Sequence, residues 1–338
     1  MNSTIKEKTL DWLLEKEDPG VRYLALRDLL RLPADNQELT AARREAHQLG
    51  PIRHVLEKMA PEGYWQKPGP GYGPKYKSTV WSLLLLAQLG GNIHEDERIK
   101  TACEYYIQQA ITDTGQVSYN GKPSGTIDCL QGNMCWSLVS LGVEPSRLTH
   151  AFEWMARTVT GDGLAPVSDR KNPMRYYAYK CGPVFECGAN YKMACAWGGA
   201  KVMKAFSIYP EELRSSLVNK AIQTGCDFFL NKDIAKADFP NGVMDHPSRN
   251  WWKFGFPVYY VTDILQILEA LVALGCAGNK RLESALQIVF DKQDEQGRWP
   301  LEYDYSGKTW RSYGKLNEPN KWVTLRALRV LQATGASN

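Results

Sequence analysis

One local pattern recurs five times and limits the folds open to this chain. A helix ends, a Gly/aromatic turn follows, then a polar aromatic loop, then a new apolar helix. The turns are Gly63-Tyr64-Trp65, Gly115-Gln116-Val117-Ser118-Tyr119, Gly161-Asp162-Gly163-Leu164, Gly242-Val243-Met244-Asp245-His246 and Gly297-Arg298-Trp299. The helices after them open at Ser78, Thr126, Cys187, Tyr260 and Lys321. A period of about 50 residues or somewhat more is the mark of a repeat architecture. Equivalent loops of equivalent repeats emerge on one face, so chemistry scattered in sequence meets in space.

Periodicity divides the helices into two kinds. Segments 21–32, 78–89, 127–141, 190–206, 262–274 and 323–332 are strongly apolar. Segments 36–49, 96–111, 145–159, 211–230 and 281–292 are amphipathic, 51–59 extends the first of them, and 9–16 forms a short amphipathic helix. No stretch alternates with period two. Helices that are apolar all round must be covered by neighbours. Six inner and six outer helices therefore predict an all-α (α/α)6 toroid. The reading is a single domain over 1–338, with N-terminal hairpins in 1–50 and five loop-plus-helix repeats in 51–334. The mouth lies at the starts of the inner helices, where unpaired N–H groups favour anions.

Composition narrows the function. With 43% hydrophobic and 23% charged residues the chain is an ordinary globular one. A formal charge of +4, with lysines and arginines dispersed, argues against nucleic acid. No window approaches 18 uninterrupted apolar residues, so no membrane span is expected. The polar start, Met1 to Lys8, has no signal-peptide character. Eight cysteines then point to a reducing, cytoplasmic setting. The expected partner is a small molecule, met by a monomer or homodimer.

The segment Gln293-Asp294-Glu295-Gln296-Gly297-Arg298-Trp299, preceded by Ile288-Val289, resembles the Gln-x-x-x-Gly-x-Trp motif of squalene–hopene cyclases. Gly63-Tyr64-Trp65 is similar to a degenerate copy. The period also resembles that of protein prenyltransferase β-subunits. Together these imply the terpene cyclase/protein prenyltransferase-like toroid superfamily over roughly residues 50–334. The runs 126–133, 181–190 and Lys253-Phe254-Gly255-Phe256-Pro257 resemble an uncharacterised bacterial squalene-cyclase-like family. Some of its members carry a nitrogenase-iron-protein label, but this chain has no Gly-x-x-x-x-Gly-Lys-Ser/Thr loop. It also lacks the Asp-x-Asp-Asp acid of class II cyclases and the Asp-Asp-x-x-Asp magnesium motif.

Two groups of residues could carry chemistry. Cys103, Cys135, Cys195, Cys226 and Cys276 read as small core hydrophobes. Cys129, Cys181 and Cys187 stand at or just before inner helix starts, with His246 one repeat further on. Zinc takes such ligands in a tetrahedral shell. Three ligands and a water would make it catalytic, and four would make it structural. Alternatively, Cys129 or Cys187 is a thiolate nucleophile with His246 as base. Asp245 is a candidate base or orienter, and Glu302 could complete a carboxylate pair. Asp128 and Asp263 read first as helix caps.

The loops also hold Trp65, Tyr76, Lys77, Tyr119, Tyr177, Trp251, Trp252, Lys253, Tyr259, Tyr260 and Trp322. Part of this set packs the centre, and the rest, with Asp263, forms a substrate pocket. The first expectation is a zinc-dependent hydrolase of an ester or phosphoester, with Cys129, Tyr177, Asp245 and His246 at the reaction centre. The alternatives are an isoprenoid-binding or terpene cyclase-like protein, and a polysaccharide lyase or glycosidase.

Overall fold

The spacing of apolar residues is what the helices follow. The computed structural model describes residues 6–166, 168–172, 174–175 and 182–335. They are mostly helical, as the periodicities predict. Helix α2 (Pro19–Asp28) carries proline at its first turn, and α5 (Thr79–Gln88) buries every residue from Thr79 to Ala87. α7 (Asp128–Ser140), α9 (Ala196–Ser207), α11 (Ile264–Leu271) and α13 (Lys321–Thr334) are buried almost as fully. Between them run α3 (Gln37–Leu49), α4 (Pro51–Leu56), α6 (Glu97–Ala110), α8 (Thr149–Thr160), α10 (Ser216–Leu230) and α12 (Glu283–Asp291), each burying part of its surface. α1 (Glu7–Leu13) precedes them.

The buried helices pack in succession: α5 on α7, α7 on α9, α9 on α11, α11 on α13, and α13 on α2. Gly90, just after α5, lies against Leu24 and Tyr23 of α2. The half-buried helices cover this set, with α3 on α2, α6 on α5, α8 on α7, α10 on α9 and α12 on α11.

The recurring turns act as staples. Trp65 is fully buried, donates Nε1–H to Val55 O at 2.8 Å and gives its backbone N–H to Thr79 Oγ1 at 3.1 Å. Trp299 repeats both bonds with Val289 O at 2.7 Å and Thr324 Oγ1 at 3.0 Å. In the second turn Val117 N–H donates to Gln131 Oε1 at 2.7 Å instead. The first and last turns thus tie the preceding helix to the next buried one. In the first two turns the glycine has positive φ and lies against a neighbouring covering helix. A Cβ on Gly63 would lie 2.8 Å from Thr101 O of α6, and one on Gly115 only 2.0 Å from His150 O of α8. Any side chain there clashes with backbone.

One boundary departs most from the sequence expectation. The fourth apolar helix was expected from Asn190 but starts at Ala196. Two short strands, β1 (Glu186–Cys187) and β2 (Met193–Ala194), pair antiparallel before it. Asn190 holds their loop, its Nδ2 donating to Ala194 O and Pro240 O at 3.0 Å each. That polar clamp outweighs the helical spacing of the apolar residues.

Candidate functional site

A cavity of about 460 Å3 lies at the starts of α7 and α9. Ile127, just before α7, and Cys129 in its first turn line it, with Cys195, Ala196, Trp197 and Gly198 from the start of α9. Tyr72, Tyr260, Phe239 and Trp251 add aromatic surface, and Val243 and Met244 line it from the 240s loop. Backbone carbonyls fix these walls. Trp251 Nε1–H donates to Ile234 O at 2.8 Å, and Trp252 Nε1–H to Ala235 O at 2.7 Å. Asn190 Oδ1 accepts from Gly242 N–H at 2.9 Å and so joins the hairpin to the 240s loop.

Three thiols line this cavity: Cys129, Cys187 and Cys195. Burial pushes the Cys129 thiol up to about 12, with the Asp128 carboxyl adding to the shift. A hydrogen bond with Cys187, then burial, raises Cys195 well above the ordinary thiol range. Burial likewise lifts Asp128 far above the usual carboxylate range. A helix start lowers a thiol's pKa in an open site. Here desolvation is the larger effect. Cys129 therefore stays protonated at neutral pH, against the expectation of a thiolate nucleophile.

Among the described residues the expected zinc ligands do not converge. His246 and Asp245 are exposed, and neither lines the cavity. His246 Nδ1 faces Pro247 O at 3.1 Å, while Asn241 Nδ2 binds its backbone carbonyl at 2.9 Å. These local bonds hold the imidazole in the outer loop. Among the described residues no three His, Cys, Asp or Glu side chains are placed to hold a metal ion. Cys181 and Tyr177, the other members of the predicted site, lie outside the described residues.

The predicted substrate residues separate into groups. Tyr260 and Trp251 line the cavity. Tyr119 is exposed, with its ring 5.8 Å from Tyr72. Tyr76 and Tyr259 belong to a packed aromatic cluster with Trp81 and Tyr305. Trp65 is the structural staple already described. Lys77 sits over the Trp310 ring at 5.7 Å, and Lys253 borders a small crevice away from the cavity. Trp322 stacks on Phe256 with centroids 4.5 Å apart. Asp263 caps α11 through Gln266 N–H at 2.9 Å and takes both Arg326 terminal nitrogens at 2.9 Å. Glu302 accepts from Phe254 N–H at 2.9 Å and pairs with Lys292 at 2.6 Å, so it fixes a loop.

Sequence reasoning passed over Trp197, Phe239 and Cys195. A tryptophan set among small residues, Cys195-Ala196-Trp197-Gly198-Gly199, is the signal that could have found the first. In that setting the ring has empty space beside it.

A second hollow of about 540 Å3 lies toward the other ends of the buried helices. The segment 253–261 separates the two, giving Phe256 and Val258 to the far hollow and Tyr260 to the mouth. Gln88 grips it, accepting from Val258 N–H at 2.7 Å and donating to Val258 O at 2.9 Å. Arg326 donates to Gly255 O at 2.8 Å.

No protein-family model and no curated protein matches the chain. Two solved structures are similar at 14% identity. One is a protein from Actinoplanes, with a TM-score of 0.45 over 97% of this chain and 98% of that one. The other is a variant of the type II terpene cyclase MstE from Scytonema, in complex with its substrate geranylgeranyl dihydroxybenzoate. Its TM-score is 0.30 over 87% of this chain and 97% of that one. No helix among the described residues is long and apolar enough to cross a membrane.

Proposed function

We propose that the chain is a single-domain (α/α)6 toroid whose mouth cavity binds an uncharged, isoprenoid-like ligand. Ring closure is supported by the succession of buried helices and by the contact of α13 with both α2 and α1. The last turn also meets the first helix as earlier turns meet their neighbours. Thr9 of α1 donates its hydroxyl to Gln296 O, and Lys6 donates to Glu295 O at 2.8 Å. Gly297 lies against Thr9.

The observation that carries the binding reading is the wall of the cavity. Tyr72, Trp197, Phe239, Trp251 and Tyr260 give a flat apolar lining within the ~300–1,000 Å3 range of small-molecule pockets. Lys75 is the one Lys or Arg among the described lining residues. A diphosphate needs several cations, so the reading favours a prenyl alcohol or a prenylated ring over a prenyl diphosphate. No carboxylate lines the cavity among the described residues, which leaves a glycosidase without its acid/base pair.

Gly198 offers the test. It lies in the first turn of α9, and a Cβ there would meet only ordinary contacts at 3.7 Å and beyond. A larger side chain can therefore fill the cavity without striking backbone. Titration of tryptophan fluorescence with farnesol should show one saturable site, about tenfold weaker for farnesyl diphosphate and lost in Gly198→Leu. Equal affinity for the two ligands, or unchanged binding in Gly198→Leu, would refute the reading. Stoichiometric zinc in the purified protein, with ester turnover, would restore the hydrolase.

A further inference from the structure

The far hollow has a different chemistry and points to a separate ligand. α2, α5, α7, α9, α11 and α13 all contribute to its wall. Arg27, Lys204, Arg326 and Arg329 stand on it, with Asp28 and Glu269. Trp136, Phe256 and Trp322 add apolar surface.

The charges form two neighbouring ion-pair groups. Asp28 pairs with Arg329 and with Arg27 at 2.6 Å. Glu269 pairs with Arg326 at 3.1 Å and Lys204 at 3.5 Å, and Asp263 takes the other face of Arg326. Four cations thus meet three carboxylates. Burial alone would raise Asp28 and Glu269, yet Arg329 and Arg27 hold the first, and Arg326 and Lys204 the second, at about 2. All three carboxylates are already committed, while the fourth cation, Arg27, is 43% exposed and met by solvent. Lys201, one turn earlier on α9, is a further buried cation when protonated.

Cations near helix C-termini complement the helix dipole. That accounts for their presence but not for the donor left over, because Arg329 Nε is buried and has no hydrogen-bond partner. Lys204 Nζ rests 4.2 Å over the Trp136 ring, beside its one long ion pair. The Arg329 and Asp28 side chains are 30% and 20% exposed, so the hollow can be reached from solvent.

We propose that this hollow binds a small organic monoanion, a carboxylate carried on an apolar ring, with Arg329 and Lys204 taking the charge and Trp136 the ring. Fluorine NMR of the full chain tests this with 4-fluorobenzoate and its uncharged counterpart 4-fluorobenzamide. The benzoate should bind saturably at one site and the benzamide about tenfold more weakly, the worth of a charge-assisted contact. Arg329→Gln should weaken the benzoate by about the same factor, Arg329→Lys should largely restore it, and the mouth variant Gly198→Leu should leave it unchanged. Lys204→Gln provides a second route that does not touch the Asp28 pair, and the same weakening is expected. Equal binding of benzoate and benzamide, no saturable binding, or full affinity in both Arg329→Gln and Lys204→Gln would overturn the proposal.

Discussion

The two hollows are of similar size and share a partition, but their walls differ. The mouth, at the starts of α7 and α9, is aromatic and thiol-lined. The far hollow, at the other ends of the buried helices, is ionic. Helix-end electrostatics alone would make the mouth the place for an anion. At α9, α11 and α13 the structure offsets part of that attraction with its own caps. Cys195 Sγ takes Gly198 N–H, Asp263 takes Gln266 N–H, and Asn320 takes Val323 N–H. Where those donors are satisfied, side chains weigh more than dipoles in the chemistry of a helix-lined cavity. At the far end the side chains and dipoles agree, since cations sit where the carbonyl ends are.

The comparison can be broken at its strongest point. Arg326 joins Asp263, Glu269 and Gly255 O while almost wholly buried. Arg326→Met leaves two buried carboxylates without their main partner. The expected loss is about 3–5 kcal/mol of unfolding free energy, read from urea denaturation. A loss below about 1 kcal/mol would mean the network does not hold this end together.

A smaller effect sharpens the boundary between the two regions. Lys201 is fully buried and bonded to Gln266, and burial pushes its ammonium down to about 7. In the unfolded chain a lysine titrates near 10.4. Between those values the unfolded state binds the extra proton, so wild-type stability should rise as pH increases from 7 toward 10. Lys201→Met should flatten that rise. Denaturation midpoints at pH 7, 8 and 9.5 for both proteins check it, and parallel curves would contradict the account.

How much of this was written in the sequence depends on the range of the interaction. The buried helices were legible because apolar spacing is a local property, and α5, α7 and α13 lie within a few residues of their expected spans. The Gly/aromatic turns were legible as repeats. Their work as staples was not, because the Trp299 bond to Thr324 Oγ1 spans 25 residues. The start of α9 was misplaced because Asn190 bonds to Pro240, 50 residues away. The ionic network was invisible for the same reason, as Arg326 and Asp263 are 63 residues apart. At the mouth, the reading of thiols beside His246 assumed that all five loops point their polar groups inward. The bond from Asn241 and the contact with Pro247 hold His246 outward, and no residue pattern announces that. The protonation of Cys129 depends on how completely its neighbours exclude water, which spacing does not encode.

The central claim, an apolar ligand seated at the mouth, is tested most directly by finding where such a ligand touches the protein. A benzophenone-tagged farnesol, photo-crosslinked to the whole chain and mapped by peptide mass spectrometry, gives that position. The account predicts attachment at Met244 and within residues 195–198, suppressed by untagged farnesol. Attachment within residues 325–333 of α13, or labelling that free farnesol does not suppress, would contradict it.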